Sequence, residues 1–125
     1  MTKEELNKLS KRIIGIALDI HKILGAGFSE KIYSRALNYE LNKHKIPRMN
    51  EKVIKVKYKG SLLGDQRLDF LIENEVILEL KSVPEINDAH LAQMLSYLKI
   101  TDKRLGLILN FAKPTLEIKR VVNNF

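Results

Sequence analysis

Apolar residues recur along the start of the chain at spacings of three and four: Leu6, Leu9, Ile13, Ile16, Ala17, Ile20 and Leu24. That period is one face of an α-helix. Thr2 and Glu5 stand at the T-x-x-E spacing of a reciprocal helix cap, so the helix opens there, and the glycines at 25 and 27 stop it after about residue 24. A second stripe, Tyr33, Leu37 and Leu41, predicts a helix over residues 30–45, with Ser29 as its cap and Pro47 beyond its end. The spacing then changes to the alternation of strands over residues 53–59, 62–72 (broken by Gly64) and 75–83. Turns fall near Gly60 and at Glu73 and Asn74, and Pro84 closes the third strand. Asn87 or Asp88 can cap a third helix running to about Ile100. Residues 105–111 are almost wholly apolar, as in a strand covered on both faces, and after a turn at Pro114 residues 116–122 form a last, more polar strand. The order is α-α-β-β-β-α-β-β, an α/β (α+β) architecture with a mixed sheet flanked by helices, in one domain over residues 1–125. A helix joins the two most apolar strands, so those two should lie parallel.

One strand is chemically odd. In Val76-Ile77-Leu78-Glu79-Leu80-Lys81, side chains two apart share a face, roughly 6.5–7 Å from one another. Val76, Leu78 and Leu80 make one face greasy, while Ile77, Glu79 and Lys81 share the other. The preceding strand carries Asp69, with Leu68, Phe70 and Ile72 expected on one face and Arg67, Asp69 and Leu71 on the other. Directly paired residues of antiparallel strands share a face. A two-residue turn at Glu73 and Asn74 would pair Asp69 with Leu78, on the wrong side. A three-residue loop, or an equivalent bulge, pairs Ile72 with Val76 and Asp69 with Glu79, and stacks Phe70 on Leu78 and Leu68 on Leu80; we expect that register. Two bare carboxylates about 4 Å apart repel by roughly 4 kcal/mol at an effective dielectric of about 20, so the pair needs a shared proton or a bound cation. Hard oxygen ligands suit Mg²⁺ or Mn²⁺. Lys81, next along the face, can orient or deprotonate a water and stabilise charge on a phosphate.

Composition narrows the chemistry. The chain has 125 residues, 45% hydrophobic and 30% charged, and no cysteine, which excludes disulfides, zinc–thiolate sites and a thiol nucleophile. The first residues lack the apolar core of a signal peptide, and the most apolar stretch, residues 13–24, is broken by Asp19, His21 and Lys22. A cytoplasmic protein without a membrane partner is expected. The formal charge of +7 favours polyanionic partners. Phosphate-binding glycine loops, a serine triad and metal-binding histidine clusters are all absent, and His21 and His44 read as surface residues.

Asp69, nine intervening residues, then Glu79-Leu80-Lys81 resembles the D-x(n)-(D/E)-x-K core of the PD-(D/E)XK nuclease superfamily. The flanks sharpen the likeness: Gly27, Glu30 and Tyr33 give G-x-x-E-x-x-Y, and His90, Gln93 and Tyr97 contain the Q-x-x-x-Y element that follows the core in RecB-like members. Together these resemble the GxxExxY protein family, from about residue 10 to the C-terminus, with Leu68 where the superfamily's name has proline. The resemblance implies a restriction-endonuclease-like fold and metal-dependent phosphodiester hydrolysis of nucleic acid, DNA ahead of RNA. It implies Asp69, Glu79 and the Leu80 carbonyl as ligands of Mg²⁺ or Mn²⁺, with Glu30 completing the metal site directly or through water, and Lys81 as the catalytic lysine. Gln93 and Tyr97 would face the site from the third helix. His90 and Tyr33 stand as candidate substrate contacts, with Lys55 and Lys57 from the first strand.

Each feature also has a plainer explanation. Glu30 gains from the helix dipole wherever it points, and His90, Gln93 and Tyr97 can be a half-buried polar edge. Lys55, Lys57 and Lys59 can guard an edge strand against aggregation. Asp69, Glu79 and Lys81 can be a structural salt-bridge cluster. A non-catalytic nucleic-acid-binding module that keeps the nuclease fold is the rival function. A domain of this size grips little of a duplex, which leaves room for a homodimer.

Overall fold

The Thr2 hydroxyl accepts from the Glu5 amide and the Glu5 carboxylate accepts from the Thr2 amide, so the first helix opens on the cap its sequence specifies. In the computed structural model, which describes residues 1–125, this helix is α1 (Lys3–Leu24), and its apolar stripe is buried from Leu6 to Ile20. The elements that follow are α2 (Glu30–Lys43), β1 (Arg48–Tyr58), β2 (Ser61–Ile72), β3 (Val76–Lys81), α3 (Asp88–Thr101), β4 (Leu105–Asn110) and β5 (Glu117–Val122). The order matches the pattern of periodicities. Ser29 occupies the N-cap position of α2 but its hydroxyl makes no capping bond. His21, expected at the surface, is buried and bonds the Lys113 carbonyl (2.9 Å). No helix is long and apolar enough to cross a membrane.

The five strands lie in the order β1-β2-β3-β4-β5. Only β3 and β4, joined by α3, are parallel; the other neighbours are antiparallel. β1 starts at Arg48, well before the expected residue 53. Its first residues are polar and mostly exposed, so no apolar alternation announces them, and backbone pairing with β2 holds them in place. The sheet separates two apolar clusters. On one side α1 and α2 pack Leu6, Ile13, Tyr33 and Leu37 against Phe70, Val76, Leu78 and Leu107; on the other, α3 packs Met94, Tyr97 and Leu98 against Leu71, Ile77 and Ile108.

The hairpin between β2 and β3 has the odd register. Ile72 pairs with Val76 and Phe70 with Leu78. Glu73 and Asn74 take left-handed backbone at φ +51° and +56°, the Glu75 amide donates to the Ile72 carbonyl (2.9 Å), and Glu75 is the extra residue. One part of the expectation fails. Leu68 packs with Ile77 and Tyr97 on the α3 side, whereas Leu80 lies with Phe70 on the other, so the two do not stack. Between Leu68 and Phe70 the alternation of β2 is lost. The ladder with β1 skips Asp69 and Glu51, and Glu51 has left-handed backbone (φ +49°), which no residue-type pattern reveals.

Gly106 in β4 lets α3 sit close to the sheet. A Cβ there would lie 2.4 Å from Met94 Sδ and 2.7 Å from its Cγ, and Met94 is buried. Gly106→Ala should therefore destabilise the protein by about 1–3 kcal/mol, the usual range for overpacking, read as a lower denaturation midpoint at constant m-value.

Candidate active site

The ladder between β2 and β3 stops at Phe70 and Leu78, and one step further the facing residues are Asp69 and Glu79. There side chains replace backbone carbonyls as acceptors. The Asp69 amide donates to Glu79 Oε2 (2.9 Å), and the Leu80 amide donates to Asp69 Oδ2 (2.9 Å). The two carboxylates thus face each other at the point where the strands part. Glu79 is only 5% exposed. Burial, the nearby Asp69 charge and a hydrogen bond to the Asp69 side chain push its carboxyl up to about 8, against smaller opposing pulls from the Asp69 amide and then from Lys81.

Lys81 follows on the same strand face as Glu79, half-buried. It takes part in none of the protein's ion pairs, so the carboxylates and the lysine do not form a structural salt-bridge cluster. Its carbonyl accepts from the Phe111 amide (3.0 Å). Just beyond, the buried Asn110 side chain clamps the chain leaving β3. It accepts from the Val83 amide (3.1 Å), donates to the Val83 carbonyl (2.8 Å), and donates to Glu117 (3.0 Å). That bond and another from the Ile86 amide hold the Glu117 carboxyl below its ordinary range.

Asp69 and Leu80 form the floor of an open groove of about 590 Å³. α2 supplies one wall through Glu30, Lys31, Ser34, Arg35 and Asn38, and β1 supplies Asn50 and Glu51. Glu30 therefore shares the groove with Asp69, but it does not complete a cluster. No three His, Asp or Glu side chains come together closely enough to hold a metal ion. It stands exposed at the first turn of α2, across the groove from the pair.

Other expected residues divide clearly. Tyr97 is buried on α3, and its hydroxyl donates to Gln66 Oε1 (3.1 Å). Burial, then the charges of Glu79 and Asp69, raise its phenol above the ordinary value. Gln93, one turn earlier, is exposed and does not line the groove. His90 is committed to capping α3: its Nδ1 accepts from the Asn87 amide (3.0 Å). Tyr33, expected to touch substrate, is fully buried; it stacks on Phe111 (4.4 Å between centroids), and its hydroxyl accepts from the Phe28 amide and donates to the Gly25 carbonyl. Its work is to fix the turn before α2. Lys55 pairs with Asp65 (3.3 Å) on the exposed β1–β2 hairpin, and neither it nor Lys57 lines the groove. Gln66 and the α2 wall were not singled out from the sequence. The recurrence of Ser34 and Asn38 four and eight residues after Glu30 was the available signal.

The sequence matches the family model of the PD-(D/E)XK nuclease superfamily over residues 7–121, nearly its whole length. The chain belongs to that superfamily, and its mixed sheet with three helices is a restriction-endonuclease-like fold. Among solved structures, the protein SSO0001 is similar in fold, with a TM-score of 0.58 and 15% sequence identity; the match covers 77% of this chain and 51% of that one. The chain thus spans about half the length of that protein. No curated protein matches the sequence.

The raised Glu79 carboxyl has a definite sign for stability. The folded state holds a proton that the unfolded state releases at its ordinary value of 4.5, so stability present below pH 4.5 is lost as pH rises toward about 8. In EDTA, the wild type should lose stability across that window at up to about 1.4 kcal/mol per pH unit relative to Glu79→Gln. Denaturant titrations at pH 5, 6, 7 and 8 (chosen to span that window) check it. Parallel pH profiles of the two proteins would show that Glu79 is not the group responsible.

Proposed function

We propose that the protein hydrolyses phosphodiester bonds of nucleic acid, DNA ahead of RNA, and that it belongs to the GxxExxY group within its superfamily. The observation that supports this best is the pair Asp69 and Glu79, held face to face where β2 and β3 part, with Asp69 lining an open groove, Glu79 buried beside it and neither acid in an ion pair. Left alone, the arrangement costs stability, as the raised Glu79 shows. A site that binds a cation turns that cost into affinity. The donors fit Mg²⁺ or Mn²⁺: two carboxylates and the Leu80 carbonyl are hard oxygens, and a small hard cation that keeps most of its waters needs no third side chain. When bound, such an ion supplies charge neutralisation at the phosphate and a more acidic water.

The chain's own groups have separate tasks. Asp69 and Glu79 each accept one backbone amide, which fixes the orientation of both carboxylates. Lys81, unpaired and half-buried beside them, holds the attacking water or a phosphate oxygen. Glu30 acts across the groove through water. Tyr97, tied to Gln66, braces α3 against β2. In the G-x-x-E-x-x-Y motif, Tyr33 anchors the turn so that Glu30, one helical turn earlier, faces the groove.

The test is incubation of the purified protein with labelled single- and double-stranded DNA and RNA, in Mg²⁺, Mn²⁺ or EDTA. Cleavage should require the cation, and Lys81→Ala should lower it by about 100-fold or more, the low end of a general acid–base contribution, without unfolding the protein. A variant that cleaves within about tenfold of wild type would remove Lys81 from the chemistry. Binding without cleavage in every arm would leave only a nucleic-acid-binding module.

A further inference from the structure

The α2 wall of the groove, opposite Asp69, carries beside Glu30 chemistry that hydrolysis does not use. On α2, Glu30, Ser34 and Asn38 recur every four residues and share a face, while Lys31 and Arg35 stand one position on, along the rim. The Arg48 guanidinium donates to Asn38 Oδ1 (2.9 Å) and to Asn42, which ties α2 to the start of β1. Both cations of the rim are exposed, and neither takes part in an ion pair. Lys55 and Arg67, on the neighbouring hairpin, are by contrast matched with Asp65 and Glu51.

The lining also says what does not bind there. Of the nine residues around the groove only Leu80 is hydrophobic, and none is aromatic. An occupant gains little from apolar burial, and bases find no ring to stack on. What the groove offers is three carboxylates (Glu30, Glu51 and Asp69), a hydroxyl and two amides, with the two unmatched cations Lys31 and Arg35 on its α2 side. The carboxylates repel a phosphate from the interior, so the two exposed cations are where a backbone can be held, which positions a strand without reading it. Four residues of helix rise by about 6 Å, which lets the heads of Lys31 and Arg35 meet neighbouring phosphates.

We infer that the rim of α2 is the track for the substrate's backbone: Lys31 and Arg35 hold phosphates of one nucleic-acid strand beside the scissile one, without regard to base sequence. The inference rests on the phosphodiesterase reading and names how that site takes its substrate. The arginine contributes a bidentate fork and the lysine a mobile point charge.

The experiment follows binding of a labelled single-stranded oligonucleotide to the full chain by fluorescence anisotropy, in EDTA, across a salt series. Wild type is compared with Lys31→Ala/Arg35→Ala and with Lys8→Ala/Lys11→Ala, which removes the same charge from the exposed side of α1. Each phosphate of a single strand that is deprived of its cation lowers the slope of log K against log salt by roughly 0.7, so the α2 pair should lower it by roughly 1.4 on oligonucleotides of any sequence. The α1 pair should leave the slope unchanged. Equal slopes for all three proteins, an equal decrease for both pairs, a decrease that depends on sequence, or no binding by wild type would each overturn the inference. Cleavage of DNA or RNA by wild type, with an unaltered slope in the α2 variant, would overturn the track alone. The predicted slope change in a protein that never cleaves would overturn the phosphodiesterase reading and leave the track.

Discussion

Two backbone amides and two carboxylates set the form of this protein. Where the ladder between β2 and β3 ends, the Asp69 amide donates to Glu79 and the Leu80 amide donates to Asp69. Each strand is thus finished by a side chain of the other. Buried amides must find acceptors, so the exchange lets the strands part without leaving donors unsatisfied, and no buried side-chain polar atom in the protein lacks a partner. The same exchange forces two acids together with Glu79 buried, and the cost appears as the raised Glu79 carboxyl. Neither acid can be moved without breaking a strand end, so this is a site the fold itself maintains.

Much of the remaining structure positions that mouth. The odd loop at Glu73 and Asn74 sets the register that brings Asp69 opposite Glu79, and a one-residue slip would send them to opposite faces. Gly106 lets Met94 approach β4, which seats α3 and with it Tyr97. Asn110 clamps the chain as it leaves Lys81. Tyr33, between Phe111 and the Gly25 carbonyl, fixes the rotation of α2, so that Glu30 and the polar stripe behind it line the groove. A motif tyrosine thus serves the site from inside the core.

Periodicity made the helices and the order of elements along the chain legible, because each buries an apolar stripe of the right spacing, and the helix joining the two most apolar strands made the parallel β3–β4 pair legible. The register was legible from parity alone. Three things were not. The early start of β1 carries no apolar alternation, since its first residues hold the sheet edge through backbone bonds. The placement of Leu68 follows from a break in alternation at Asp69 and from left-handed backbone at Glu51, to which residue types are blind. The roles of Tyr33, His90 and Gln93 depend on how α2 and α3 are rotated. A motif reports which residues occur together, while burial decides whether each one meets substrate, caps a helix or fills the core.

The central claim is that Asp69 and Glu79 are paired for a cation and at a cost to the fold. It is tested most directly by melting wild type and Asp69→Asn at pH 8 (near the value to which Glu79 is raised), in EDTA and in Mn²⁺. The asparagine oxygen keeps the acceptor for the Leu80 amide and removes the charge that opposes Glu79. The account predicts that the variant melts above wild type in EDTA, and that Mn²⁺ raises the melting temperature of wild type but not of the variant. A variant that melts well below wild type in EDTA, with wild type indifferent to Mn²⁺, would show that the pair is a structural brace and contradict the account.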